Sequence, residues 1–229
     1  MQQSSRLVPC KLKAQCNAAI MKLQADNMAL DLANNSLDNF IDDGEIKSES
    51  FDALKQKVSD YKLVIRAMKL ANDLDIADYR ALHNMVGSEV LDGSVIEIKR
   101  VSENHKRNAL ENAEKMRQNA RQYSEISPQM AEIFEQEACD YEKEAENHQA
   151  IITHCNNKIE QYDSIDARTS TLFSSGSPMR LIATNMLRGM RDAFQGGVYV
   201  VSSLSASREA IQSGIATGLM QRYFKENMQ

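Results

Sequence analysis

Between Phe134 and Tyr162 the chain places Phe134, Ala138, Tyr141, Ala145, His148, Ile152, Cys155, Ile159 and Tyr162 at alternating steps of four and three. A spacing that averages 3.5 residues keeps one narrow stripe of a helix turned toward a neighbour. About four unbroken heptads of it call for a long helix lying along another helix. The rest of the chain is compatible with that demand. Its 229 residues include only three Pro and nine Gly, so long stretches carry no helix breaker, and 42% are hydrophobic with 6% aromatic and no Trp. Such a composition suits thin helical packing, where each helix buries a stripe rather than a whole face. The expected fold is all-α: one elongated antiparallel helical bundle with long coiled-coil-like helices, spanning residues 1–229 as a single domain.

Helix signals divide the chain. A first helix is expected over about 10–41, where Cys16, Ile20, Leu23, Asn27, Leu30, Asn34, Leu37 and Ile41 keep the 4-3 spacing. Asn27 and Asn34 either fix the register of that seam as buried amides or lie at its wet edge. After a break around Gly44 comes a helix over about 48–73 with Ser48 as N-cap and the stripe Phe51, Leu54, Val58, Tyr61, Ile65 and Met68. A short helix over 76–86 and a long one over 94–125 follow. Ser127–Pro128 starts the next, over 128–164, and Ser177–Pro178 repeats that start signal for a helix over 178–194. The segment "QGGVYVVSSLSAS" reads as a weak connector to a last helix over 206–225.

Charge predicts one tertiary contact. Lys99 to Arg121 holds seven basic residues against three acidic ones, and Glu125 to Glu146 holds eight acidic residues against Lys143. A basic helix joined to an acidic one by a Ser-Pro turn should fold back as an antiparallel hairpin. Each exposed pair contributes only about 0.2–1 kcal/mol, so charge sets orientation more than stability.

Several function classes lose support at this level. A net charge of −5 argues against a nucleic-acid surface. No run approaches the roughly 18–20 apolar residues of a membrane span, and residues 1–30 lack the apolar core of a signal peptide. Cys10, Cys16, Cys139 and Cys155 form no CxxC pair and match no zinc spacing, and Cys155 falls on an apolar stripe as a small buried hydrophobe. His83, His105, His148 and His154 offer no pair four residues apart, and His148 reads as a satisfied core histidine. "QGGVYV" lacks the lysine of a phosphate loop, and the acidic run at 132–146 reads as a solvated face. "GIATG" at 214–218 permits a close helix contact, and "YDSID" at 162–166 is too short to outweigh chance. No catalytic residue, metal ligand or cofactor is expected.

Three stretches taken in order carry a family resemblance. "SLDNFIDDGEIKSESFDALKQKVSDYKLVI" resembles the region that names the LXG domains, with Ile46, Lys47 and Ser48 in the slot of the eponymous Leu-x-Gly. "VLDGSVIEIKRVSENHKRNA" resembles their second landmark, a short acidic loop that launches a long helix. "NNKIEQYDSIDARTSTLFSSGSPMRLIATNMLRGMRDAF" resembles the third, where a long helix ends and a final amphipathic helix follows. LXG domains form the front end of toxins exported by the type VII secretion system of Gram-positive bacteria. The resemblance implies a non-enzymatic targeting domain, cytoplasmic before export and then secreted without a cleaved signal. It further implies binding by small helical-hairpin (WXG-type) partner proteins and presentation to a secretion ATPase. The 229 residues leave no room for a toxin domain, so the expectation is either the isolated targeting part of a longer protein or a stand-alone member. The expected partner contacts are Leu23, Leu30, Leu37, Phe51, Leu54, Val58, Tyr61 and Ile65. Two competing expectations remain: that these residues close an intramolecular bundle, or that the chain is a self-associating coiled-coil rod.

Overall fold

The computed structural model describes residues 1–2, 4–41, 48–195 and 198–227. Among them the chain is an all-α helical bundle with almost no strand. The helices are α1 (Pro9–Ile41), α2 (Glu49–Met85), α3 (Ser94–Tyr123), α4 (Pro128–Thr169), α5 (Gly176–Asp192) and α6 (Ser205–Asn227). Two pairs of two-residue strands accompany them: β1 (Arg6–Leu7) with β2 (Leu91–Asp92), and β3 (Phe194–Gln195) with β4 (Val198–Tyr199), both antiparallel. The break around Gly44 and the slot residues Ile46 and Lys47 lie outside the described residues. The chain divides into two compact units, one of residues 1–9 with 88–168, the other of residues 10–87 with 169–229.

The first unit is the hairpin that charge predicts. Tyr123 packs on Phe134 near the turn, with ring centroids 5.5 Å apart, and His105 stacks on His148 at 5.1 Å further along. Those pairs run in opposite senses, so α3 and α4 are antiparallel. The seam itself is small: Ala109, Ala113 and Ala120 of α3 are buried, as are Ala138, Ala145, Ile152 and Cys155 of α4. All nine residues of the α4 seam are buried or half-buried. Only Arg117–Glu142, at 2.6 Å, is a described ion pair across the hairpin, since alanine fills the interior and leaves most charges on the outer flanks. Pro128 opens α4 at its first position, where its missing N–H leaves no partner wanting. The N-terminal residues close the other end of the hairpin through the β1–β2 pair, a 2.7 Å bond from Gly93 N–H to Ser5 O, and an ion pair from the Met1 ammonium to Asp163. Just before α3, whose N-cap is Gly93, Asp92 accepts from Ser94 N–H at 2.9 Å, and that bond holds its carboxyl below the usual carboxylate range.

The second unit is built around α2, which packs on α5 and α6, while α5 also packs on α6. Its core holds Val64, Ala67, Leu70, Ala71 and Leu74 of α2 with Met179, Ala183, Met186 and Met190 of α5, closed by Leu204 and Ile211. Ser48 caps α2 as expected, accepting from Phe51 N–H at 3.2 Å. The two helices expected over 48–73 and 76–86 are one helix. Residues 72–75 are Asn, Asp, Leu and Asp, a run that favours local backbone bonding when its side chains are idle. Here they are occupied by tertiary partners, so the helix continues. The small "GIATG" positions are used: a Cβ on Gly218 would lie 2.7 Å from Leu70 Cδ2, and one on Gly214 would lie 2.9 Å from Ile182 Cδ1.

Acids of α2 meet bases of α5 and α6. Asp60, 1% exposed, accepts two hydrogen bonds from Arg208, both at 2.6 Å, and one from Tyr199 Oη at 2.7 Å. Burial first, and then that carboxylate, push the Tyr199 phenol far above its usual value. Asp73 pairs with Arg222 at 2.7 Å, Asp75 with Arg180 at 2.7 Å, and buried Asp78 with Lys225 at 2.6 Å. Asp78 also accepts from Phe173 N–H at 2.9 Å, fixing a non-glycine residue at a φ of 61° beside Tyr79. The connector before α6 is therefore not weak, for Tyr199 is buried and anchored.

Candidate functional site

The helix α1 lies antiparallel on α2. As residue number falls along α1 from Asp38 to Asp31 to Asn27, the partner on α2 rises from Lys62 to Lys69 to Asn72. Its expected seam turns inward, and all eight positions from Cys16 to Ile41 are buried or half-buried. Asn27 is a register device. It donates to Asp73 at 2.9 Å and accepts from Asn72 at 2.9 Å, and Asn72 in turn accepts from Arg180 at 3.1 Å. Asn34 behaves differently: it donates to Asp38 one turn on at 3.0 Å, while its buried Oδ1 has no described partner.

The residues expected to meet partners sort by side. Leu23, Leu30 and Leu37 are half-buried on the inward face of α1. Phe51 and Val58 are buried, and Ile65 is half-buried. Only Leu54 and Tyr61 are exposed, at 42% and 38%. The stripe on α2 therefore splits, because the buried side of that helix is centred on Val64, Ala67, Ala71 and Leu74 instead.

The face of α1 opposite its inward seam was missed by the sequence reading. Ala14, Ala18, Met21, Ala25, Met28, Leu32, Asn35 and Asn39 repeat at steps of four and three, and every one is exposed. Met21, Met28 and Leu32 stand at 70%, 66% and 71% exposure and share this one face, unlike apolar residues scattered singly over a surface. No charged residue interrupts this second heptad series. Asp31 and Asp38 beside it are drawn back to Lys69 and Lys62 of α2. The signal was readable as a second 4-3 series offset by two from the first. Small alanines and polar asparagines at five of the eight positions concealed it.

Other surfaces show less order. On α6, Leu219, Met220, Tyr223 and Phe224 are exposed together, and Ile126, Met130 and Ile133 are exposed at the turn of the α3–α4 hairpin. Within the second unit a cavity of about 620 Å³ is lined by Leu23 and Leu30 with Asp75, Tyr79 and Arg180. The buried Asp75 Oδ1 there accepts no described hydrogen bond, but it sits against Gly176 at the start of α5, where a negative charge is favoured. His148 packs in the α4 seam, yet it is not the satisfied histidine expected. Its Nδ1 is buried without a described partner, and its Nε2 lies 3.9 Å from Glu144. Among the described residues no three His, Cys, Asp or Glu side chains converge as metal ligands, and no helix is long and apolar enough to cross a membrane. No protein-family model, curated protein or solved structure matches the chain.

Proposed function

We propose that the chain is a non-enzymatic targeting and adaptor domain of the LXG type, which docks small helical-hairpin partner proteins for presentation to a type VII secretion ATPase. One observation carries the docking part of that reading: the second heptad series of α1, exposed from Ala14 to Asn39 and free of charge. A surface helix ordinarily turns a polar, charged face to water. A helix with two heptad faces, one satisfied within the chain and one open, suits a helix laid alongside by another protein. The docking site is then the outward face of α1, rather than the inward Leu23, Leu30 and Leu37. The export part rests on the ordered resemblance of three stretches alone. A self-associating coiled coil without an export role is the second reading, favoured by the self-complementary order of the same seam.

The test is co-expression with the small helical proteins encoded beside the gene, followed by size-exclusion chromatography with light scattering. A stable complex is expected, and Met28→Glu or Ala25→Glu should abolish it without changing the helical circular dichroism of the chain. Complexes that survive both substitutions would sink the docking face. Absence of any complex with those neighbours would sink the adaptor reading.

A further inference from the structure

We infer that the outward seam of α1 pairs antiparallel with the same seam of a second copy, so that self-association and partner docking compete for one face. This rests on the seam being a docking face, and it names the occupant in the absence of a partner. The order of side-chain sizes carries it. In an antiparallel coiled coil, successive seam positions of one helix meet the opposite kind of position on the other. Centred between residues 25 and 28, that rule places Ala25 against Met28 of the second copy, Met21 against Leu32, Ala18 against Asn35 and Ala14 against Asn39. Three of the four pairs set a small residue against a larger one, which is how facing layers interdigitate without voids. A parallel arrangement instead stacks Ala on Ala, Met on Met and Asn on Asn. The flanks agree. In the antiparallel register Lys22 falls beside Ala29 of the second copy, Gln24 beside Asp31 and Asn17 beside Asp38, so no like charges meet.

Size sets the strength. The 26 residues from Ala14 to Asn39 span about 39 Å of helix. At a width of about 10 Å the footprint is roughly 400 Å² per copy, below the roughly 600 Å² per side of the smallest standard interfaces. The dimer is accordingly a weak one that a partner helix with larger apolar residues displaces. Exclusion follows from geometry, since one seam accommodates one helix.

Sedimentation velocity of the full chain from about 5 to 500 μM tests the pairing. A concentration-dependent dimer is expected, weakened at least about tenfold by Met28→Glu, which places an unpaired charge in two symmetry-related layers. Met28 is exposed, so the variant should fold; equal helical circular dichroism confirms it. Register is read by mixing Ala25→Cys and Met28→Cys chains, each also carrying Cys10→Ser and Cys139→Ser, under mild oxidation. A mixed 25–28 disulfide supports the antiparallel pairing, whereas disulfides between identical chains at residue 25 overturn it. A monomer at 500 μM overturns self-pairing while neighbour-encoded helical proteins are still captured. Loss of both the dimer and that capture overturns the docking face itself.

Discussion

Asp60 offers the sharpest test of how the second unit is held together. Its carboxylate is 1% exposed and is satisfied by Arg208 through two 2.6 Å bonds and by Tyr199 through one of 2.7 Å. Arg208 also donates to Val201 O at 3.0 Å, so one guanidinium ties α2, the turn before α6 and α6 itself. Replacing Arg208 with Met keeps the length of the side chain and removes its charge. The carboxylate then remains buried with a single phenol donor. Breaking a buried pair in this way costs about 3–5 kcal/mol, because the uncompensated charge stays in a medium of low polarity. Removing both members should cost much less, since the double variant Asp60→Leu, Arg208→Met leaves no buried charge and replaces polar atoms with apolar ones. Tyr199 still loses one acceptor, worth about 1–3 kcal/mol when buried. Urea unfolding of the full chain, followed by far-ultraviolet circular dichroism and by Tyr fluorescence, compares the three proteins. The expected order is wild type, then the double variant, then Arg208→Met, with the last two separated by at least about 1 kcal/mol. A single variant within about 0.5 kcal/mol of wild type, or a double variant less stable than the single, would refute the reasoning.

Other expectations are simpler. Gly218→Leu should destabilise by roughly 1–3 kcal/mol, because a Cβ there already meets Leu70 at 2.7 Å, whereas Gly87→Ala has open space around it and should be near neutral; thermal unfolding of the pair compares them. In the native chain Cys10 and Cys139 should alkylate readily, while Cys16 and Cys155 stay unlabelled until urea is added, and mass spectrometry counts the adducts. Burial also pushes the Cys16 thiol up, which slows its reaction further. Asp92 should titrate below about 3.9, the ordinary Asp value, as followed by NMR of the Ser94 amide. Because the folded carboxyl is depressed, the contribution of its bond to Ser94 is complete above that ordinary value and fades as pH falls through the lower folded one. A midpoint at or above the ordinary value would refute the Asp92–Ser94 hydrogen bond at the start of α3.

The fold was legible where one rule acted alone. The α4 seam, the antiparallel α3–α4 hairpin, the Ser48 cap and the Pro128 start all follow from spacing, charge blocks and cap chemistry within short windows. Legibility failed where distant partners override local preference. Residues 72–75 read as a break because Asn and Asp compete for the backbone, and only Asn27, Arg180 and Arg222 (far off in sequence) explain why they do not. The stripe from Phe51 to Met68 located a helix correctly but not its buried side, since Ala67 and Ala71 count for little in a pattern and much in a core. Tyr199 was invisible for a related reason: its partner Asp60 lies 139 residues away. The outward face of α1 was periodic, but five of its eight positions are Ala or Asn, which dilute the stripe made by Met21, Met28 and Leu32.

The α2 acids set an order of events during synthesis. Asp60, Asp73 and Asp78 find their bases 148, 149 and 147 residues later, at Arg208, Arg222 and Lys225. At about 5–20 residues per second the ribosome needs roughly 7–30 s to deliver each base after its acid has emerged. Through that interval α2 can coil and α1 can lie on it, but burying Asp60 or Asp78 is unfavourable without its counter-charge. The α3–α4 hairpin, whose last contact needs nothing beyond Asp163, is complete before Arg208 emerges. The nascent chain therefore carries one finished unit and one waiting, with the apolar flank of α2 covered by α5 alone until α6 appears.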